Sequence, residues 1–279
     1  LSSIMNYGIR QSGFDTIHIG YLPSYAATAW YHNKVPGGRP GSLEAFVEEA
    51  RQFANGPYAT ALLKGSDITP QETDEIARQL NRYTGLSVDY LKRANLRVNL
   101  SRFRKELLRD EHATLGRFDS RYTGIDADTA GEEPEYDPSS TGITGLYVGS
   151  FLDQVTRQIG YKTDLSYRLS AREGGDFKWD WSHQPPEGGK QNVADVTADL
   201  SAAMRTNPHL RVLSLNGYYD MATPFFSTER DLKHMMLEPQ LRGNLQFRYY
   251  PAGHMVYLNP EALHQMRLDM ERYYAEGAR

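Results

Sequence analysis

The last third of the chain alternates helical and strand patterns, and this alternation constrains the fold more than any other feature. An amphipathic helical pattern over 193–205 leads into a short apolar run at 211–216. A helical pattern at 225–237 and a second, aromatic run at 247–250 follow, and Pro260 then opens a final helix. The order helix-strand-helix-strand-helix over 193–275 predicts a parallel α/β sheet.

Each strand pattern in this region is followed by a residue that can move or orient a proton. Asp220 comes after Asn216-Gly217, and His254 comes directly after Gly253. Taken singly, Asp220 is typical of a turn or helix cap, and His254 is typical of a surface or core histidine. Two neighbouring βα units, however, bring both side chains to the same edge of a sheet. An aspartate that orients an imidazole is the second half of a Ser-His-Asp triad, and the order acid-then-histidine matches α/β-hydrolases.

The nucleophile that such a pair requires has no recognisable sequence signature. No window matches Gly-x-Ser-x-Gly, the turn that exposes the serine in α/β-hydrolases. The nearest sequences, Gly85-Leu86-Ser87-Val88-Asp89 and Gly149-Ser150-Phe151, lack the second glycine. The chain also begins with Leu1 rather than methionine. We therefore expect it to be the C-terminal portion of a longer protein, with the serine in the missing N-terminal segment.

Composition excludes several classes of function. The 279 residues include no cysteine, which rules out disulfides, thiol nucleophiles and cysteine-bound metals. A net charge of −4 gives no reason to expect nucleic acid as a partner. No run of about 18 apolar residues is present, so we predict no membrane span. The acidic loop 119–137 lacks the calcium-loop pattern, and the histidines lack His-Glu-x-x-His spacing. We predict neither a metal nor a cofactor.

Turn and cap signals divide the chain into three parts. Residues 1–35 are predicted to be the end of a core strand and its exit segment. The sequence Pro36-Gly37-Gly38-Arg39-Pro40-Gly41 then breaks regular structure. Residues 36–192 are predicted to be a helical cap insertion followed by an irregular connection, with a long helix at 143–159 that ends at Gly160. Helix starts are expected where cap residues precede helical patterns: Ser42, Thr69, Ser87 and Asn99. Residues 193–279 form the α/β core with the acid and histidine loops.

These loops resemble those of one enzyme family. Asn216-Gly217-Tyr218-Tyr219-Asp220-Met221-Ala222-Thr223-Pro224 resembles the acid loop of serine carboxypeptidases, and Gly253-His254-Met255-Val256 resembles their histidine loop. Pro260-Glu261-Ala262 is similar to the start of their last helix. The segments 22–31 and 119–124 are similar to the cysteine-free bacterial branch. One departure is Tyr218, which stands where the acid loop commonly has an aspartate.

The resemblance implies an α/β-hydrolase fold with a helical insertion between the sixth and seventh core strands. It also implies serine-type release of C-terminal residues from a peptide substrate without a metal. Asp220 would be the triad acid, His254 the general base, and Met255 a residue that flanks the substrate. A periplasmic or secreted location would fit this family. The family's Gly-Glu-Ser-Tyr-Gly turn, oxyanion glycines and carboxylate-binding residues would precede Leu1, so the chain alone should be inactive.

Two other interpretations of the same residues stay open. The fold could carry a different reaction, as in an acyltransferase, an esterase or a haloalkane-type hydrolase with an upstream aspartate nucleophile. The chain could also be a non-catalytic binding module of α/β-hydrolase type that has lost its nucleophile. A serine in the missing nucleophile turn would exclude the haloalkane-type hydrolase, and substrate profiling would distinguish the remaining enzymes. Loss of activity in folded Asp220→Asn and His254→Ala variants of the complete protein would support an enzyme, whereas no change would support the binding module.

Overall fold

A computed structural model describes residues 5–10, 15–170, 175 and 177–277. Most of the predicted strand end at 1–7 lies outside these residues; within it, Asn6 forms an isolated antiparallel bridge with Asp195. Ten α-helices and four strands occur in the described part of the chain. In chain order they are α1 Thr16–Tyr31, α2 Leu43–Phe53, α3 Ala59–Leu63, α4 Pro70–Thr84, α5 Val88–Arg93, α6 Leu100–Glu106, β1 Thr114–Leu115, β2 Thr123–Gly124, α7 Pro138–Asp153, α8 Thr197–Thr206, β3 Val212–Gly217, α9 Phe225–Lys233, β4 Leu245–Tyr250 and α10 Pro260–Gly277.

Helix α1 lies at the centre of the larger hydrophobic core. Its residues from Ile19 to Ala29 are all buried, and Ala26, Ala27 and Ala29 have no exposed surface. It packs against α2, α4 and α9. A helix that is buried on every side has no polar face, which explains why its sequence shows little amphipathic pattern. The residues assigned from sequence to an exit segment thus form a buried helix.

The predicted cap residues do begin helices. The Ser42 and Ser87 hydroxyls accept hydrogen bonds from the backbone N–H groups three residues later, at the starts of α2 and α5. Thr69 and Glu72 form a reciprocal capping box at the start of α4, where Pro70 occupies the first helical position. The Asn99 side chain caps α6 in the same way. Each cap satisfies backbone donors that the first helical turn cannot.

The predicted insertion 36–192 has two parts with different packing. Helices α2 to α6 share one hydrophobic core with α1 and with Tyr219 and Phe225 from the C-terminal region. Helix α7 starts five residues earlier than expected, because Asp137 caps it and Pro138 follows. From α7 onward many large apolar side chains are exposed, such as Leu146 at 74%. The first part is therefore integral to the core that supports the acid loop.

The C-terminal region contains the predicted parallel strand pair. Strands β3 and β4 pair in register from Val212↔Leu245 to Gly217↔Tyr250, and α9 crosses between them. One small core cluster includes Met204 of α8 and Leu232 of α9, and a second joins Tyr250 to α10. The short strands β1 and β2 form a separate antiparallel pair. None of the helices in the described ranges has the length and apolar character needed to span a bilayer.

Candidate active site

The structure brings Asp220 and His254 together at the carboxyl ends of β3 and β4. Asp220 Oδ2 lies 2.9 Å from His254 Nδ1. Backbone hydrogen bonds continue past the strands, from Tyr218 N to Tyr250 O and from Tyr219 N to Ala252 O, both at 3.0 Å. These bonds fix the acid loop against the histidine loop. The juxtaposition expected from two adjacent βα units is therefore present, whereas the catalytic roles of both residues stay predictions.

The Asp220 carboxylate is held by four donors although it is almost inaccessible. Its side chain is 2% exposed. Oδ1 accepts hydrogen bonds from Ala222 N at 2.8 Å and Thr223 N at 2.9 Å, and Oδ2 accepts one from Thr223 Oγ1 at 2.7 Å. The imidazole provides the fourth contact. A buried polar group is costly without hydrogen-bond partners, so Thr223 both satisfies and orients this carboxylate. Sequence reasoning missed Thr223, although the Asp-x-x-Thr spacing signals this turn.

His254 has one nitrogen engaged and the other open. Its side chain is 31% exposed, and its backbone N–H donates to Phe118 O at 2.6 Å. The hydrogen bond to Asp220 raises the pKa of the imidazole, against the opposing effect of burial. A neutral ring that donates its Nδ1 proton to Asp220 carries its lone pair on Nε2. Nε2 has no hydrogen-bond partner among the described residues, so it is free to accept a proton.

Two glycines allow the loops to approach this closely. A Cβ atom on Gly217 would lie 2.3 Å from Gly253 O and 2.4 Å from Ala252 O. A Cβ atom on Gly253 would lie 2.4 Å from Phe118 O. These partners are backbone atoms, which cannot move without shifting the site. The Asn-Gly and Ala-Gly pairs of the sequence are thus required by packing between loops rather than by turn geometry.

A segment that overlaps only the start of the acidic loop 119–137 contacts both the acid loop and the histidine loop. In addition to the bond from His254 N to Phe118 O, Met221 N donates to Arg117 O and Ser120 N donates to Tyr219 O, both at 3.0 Å. We call residues 116–122 the bridging segment. Its bonds join residues about 100 or more positions apart in the sequence, which explains why local sequence patterns do not reveal it. Only the resemblance at 119–124 pointed to it.

An ion pair within the bridging segment reaches the histidine loop. Arg121 donates from Nε to Asp119 Oδ1 at 2.9 Å and from Nη2 to Asp119 Oδ2 at 2.6 Å. Its Nη1 donates to Pro251 O at 2.8 Å. Fork-shaped pairing of this kind fixes both partners in one geometry. Arg121 therefore holds the backbone that precedes His254.

Helix α1 and the residue that follows it contact both the acid loop and the bridging segment. The Tyr21 hydroxyl donates to Met221 O at 3.1 Å. Thr28 Oγ1 and Ser120 Oγ are 2.6 Å apart, and His32 Nε2 lies 2.8 Å from Ser120 O. Burial lowers the pKa of His32, so the neutral ring donates this bond. The site thus depends on α1, the bridging segment and the two strand ends.

Met255 lies partly exposed beside His254, just before a 3-10 turn at Val256–Leu258. This position is next to His254, and the role of Met255 towards substrate stays a prediction. Across the residues that the structure describes, no group of three or more His, Asp or Glu side chains is arranged to hold a metal ion.

Comparisons of the chain with protein-family models, with curated proteins and with solved structures found no match. The likeness to serine carboxypeptidases consequently rests on the loop sequences quoted above. The function is inferred from these loops together with the geometry of the site.

Proposed function

We propose that this chain supplies the acid and the general base of a serine-type carboxypeptidase, built on part of an α/β-hydrolase fold. Asp220 is the acid, His254 is the base, and a peptide is the substrate. A segment outside these 279 residues supplies the nucleophilic serine. The observation that carries the proposal is the 2.9 Å contact between a buried aspartate and a partly exposed imidazole at neighbouring parallel strand ends.

The arrangement suits proton transfer to and from a serine hydroxyl. His254 Nε2 takes the proton as the hydroxyl attacks the peptide carbonyl, and Asp220 stabilises the imidazolium that forms. The same nitrogen then gives the proton to the departing amine. Because Thr223 and two backbone N–H groups hold the carboxylate, it stays oriented towards Nδ1 throughout.

Burial distinguishes this pair from the ordinary alternatives. A turn aspartate that only caps a helix is expected at the surface, whereas Asp220 is 2% exposed and touches the histidine of another strand. An ordinary core histidine would have both nitrogens satisfied, whereas Nε2 of His254 has no partner in the described part of the chain. Esterases and acyltransferases use the same pair, so the choice of a peptide rests on the resemblance.

The test uses two polypeptides: the complete coding frame that contains these residues, and the 279 residues alone. The complete protein should release the C-terminal residue of N-blocked dipeptides and react with a fluorophosphonate. Asp220→Asn should lower kcat by about 10⁴-fold, as in the well-studied serine proteases. His254→Ala removes the base itself and should lower kcat by about 10⁶-fold. His264→Ala, on the exposed surface of α10, is the matched control and should retain full activity.

Three results would count against parts of the proposal. Undiminished turnover in folded His254→Ala would exclude a catalytic role and favour the binding-module interpretation. Turnover of esters without turnover of peptides would favour an esterase. Fluorophosphonate labelling of the 279-residue chain alone would show that it contains its own nucleophile.

A further inference from the structure

A cavity of about 250 Å³ lies between the start of α1, the start of α6 and Arg117, whose backbone contacts the acid loop. It is smaller than the roughly 300–1,000 Å³ of whole small-molecule sites, so its size suits a single side chain. Burial lowers the pKa of the one histidine in its wall and favours the neutral ring. Apart from Arg117, the lining side chains carry no charge: Ile17, His18, Tyr21, Asn99, Leu100 and Ser101.

The cavity shares a wall with the catalytic pair. The carbonyl of Arg117 accepts a hydrogen bond from Met221 N, and the Tyr21 hydroxyl donates to Met221 O. The ring of Phe118 is close to both Arg117 and His254: its centroid is 5.3 Å from the Arg117 guanidinium carbon and 5.4 Å from the His254 ring. The wall of the cavity is therefore in contact with the loops that carry Asp220 and His254.

Arg117 differs from the other arginines around the site because its charge is not paired. Arg97 forms a bidentate ion pair with Asp15, and Arg121 forms one with Asp119. In the ranges that the structure describes, no carboxylate forms an ion pair with Arg117. The nearby Asp137 accepts the backbone N–H of Arg117 at 2.9 Å, but its ion pair is with Arg104 at 3.9 Å. A partly buried cation in a cavity without anions attracts a negatively charged group.

Resting on the function proposed above, we infer that this cavity is a substrate subsite that takes an acidic side chain next to the scissile bond. The guanidinium of Arg117 binds the side-chain carboxylate, and Ile17, Tyr21 and Leu100 contact its methylene groups. Arginine suits this role because its planar fork matches both carboxylate oxygens. The enzyme would therefore prefer peptides with glutamate or aspartate at that position.

Binding to the 279-residue chain can be followed by NMR of the His254 ring, because binding needs no nucleophile. N-acetyl-L-isoglutamine offers only a side-chain carboxylate, N-acetyl-L-glutamine only an α-carboxylate, and N-acetyl-L-glutaminamide neither. We expect only the first probe to shift the His254 signals saturably. Arg117→Gln should weaken its binding at least about tenfold, and Arg117→Lys should weaken it less. Arg78→Gln, an exposed arginine on α4, is the control.

Ser101→Tyr fills the cavity and leaves Arg117 intact, and it should abolish binding of N-acetyl-L-isoglutamine. This variant provides a second test of the site if Arg117→Gln fails to fold. Equal shifts with the uncharged probe, or unchanged affinity in a folded Arg117→Gln or Ser101→Tyr variant, would overturn the inference. So would a response to the α-carboxylate probe alone. Acidic binding without peptidase activity in the complete protein would leave the subsite standing and count against the proposed function. Peptidase activity in the complete protein without binding of the acidic probe would support the proposed function and overturn the subsite.

Discussion

Replacing Gly217 with alanine tests whether backbone contact sets the spacing between the acid and histidine loops. The added Cβ would lie 2.3 Å from Gly253 O and 2.4 Å from Ala252 O, whereas ordinary contacts begin at 3.4 Å. The loops must therefore separate by about 1 Å to accept the methyl group. Neither partner is a side chain that can rotate away, and both belong to the turn that carries His254.

The expected loss of stability is about 1–3 kcal/mol, the usual effect of overpacking. We expect the upper part of that range because the clash involves two backbone oxygens. A separation of about 1 Å would also stretch the 2.9 Å contact between Asp220 and His254 beyond hydrogen-bond reach. A displacement of this size in an active site can lower turnover by about 10²-fold.

Urea denaturation measures the stability change, and the His254 imidazole signals report the contact. Gly243→Ala is the matched control, since a Cβ atom there meets nothing within 4 Å and φ is not positive. The control should change stability by less than about 0.5 kcal/mol. If Gly217→Ala is as stable as the control and leaves the His254 signals in place, the argument from loop spacing is wrong.

Three further perturbations follow from the structure. Because the bond to Asp220 raises the pKa of His254, its stabilising effect is complete below pH 6.5 and is lost as pH rises through the higher folded-state value. Asp220→Asn should therefore reduce stability most at mildly acidic pH, as urea titrations at several pH values would show. Lys105→Met should destabilise by about 3–5 kcal/mol, because it leaves the buried Asp126 carboxylate unpaired. Gly149→Ala, on the exposed face of α7, should stabilise by up to about 1 kcal/mol in thermal unfolding.

Matched variants separate these effects from general damage. Lys64→Met removes one partner of an exposed pair with Glu72 and should change stability by less than about 1 kcal/mol. If it destabilises as much as Lys105→Met, burial does not explain the difference. Gly188→Ala should destabilise, because φ is +96° there, whereas Gly149 is helical. If Gly188→Ala also stabilises, the argument from positive φ is wrong; if Gly149→Ala destabilises, the assignment of α7 as a helix is wrong. If the stability loss in Asp220→Asn does not vary with pH, the bond between Asp220 and His254 does not account for it.

Local signals in the sequence predicted local features of the fold well. The caps at Ser42, Thr69, Ser87 and Asn99 each need only a residue and its neighbours three positions on. The Asp220–His254 contact could also be predicted from the sequence. Strands β3 and β4 belong to consecutive βα units, and the carboxyl ends of such parallel strands lie at the same edge of the sheet. Boundaries were less accurate: α9 ends at Lys233, not at 237.

Features that depend on distant residues were not predictable in this way. Helix α1 is buried on all sides, so its sequence lacks the polar face that identifies a surface helix. The bridging segment contacts the two loops through the backbone oxygens of Phe118 and Arg117. Every residue type has such an oxygen, so the sequence does not indicate these contacts. The free charge of Arg117 likewise becomes visible only when its surroundings are known.

The region from α1 to β2 holds the Asp220–His254 pair in place rather than only covering it. A cap that only covers an active site could be removed without changing the catalytic pair. Here α1 holds Met221 and Ser120, and the bridging segment holds the backbone of His254 itself. Helix α6 in turn fixes the residue before that segment, since Arg104 Nε donates to Leu115 O at 2.8 Å. The alignment of Asp220 and His254 therefore depends on α1, α6 and the bridging segment as well as on β3 and β4, and substitutions in these distant elements should alter it.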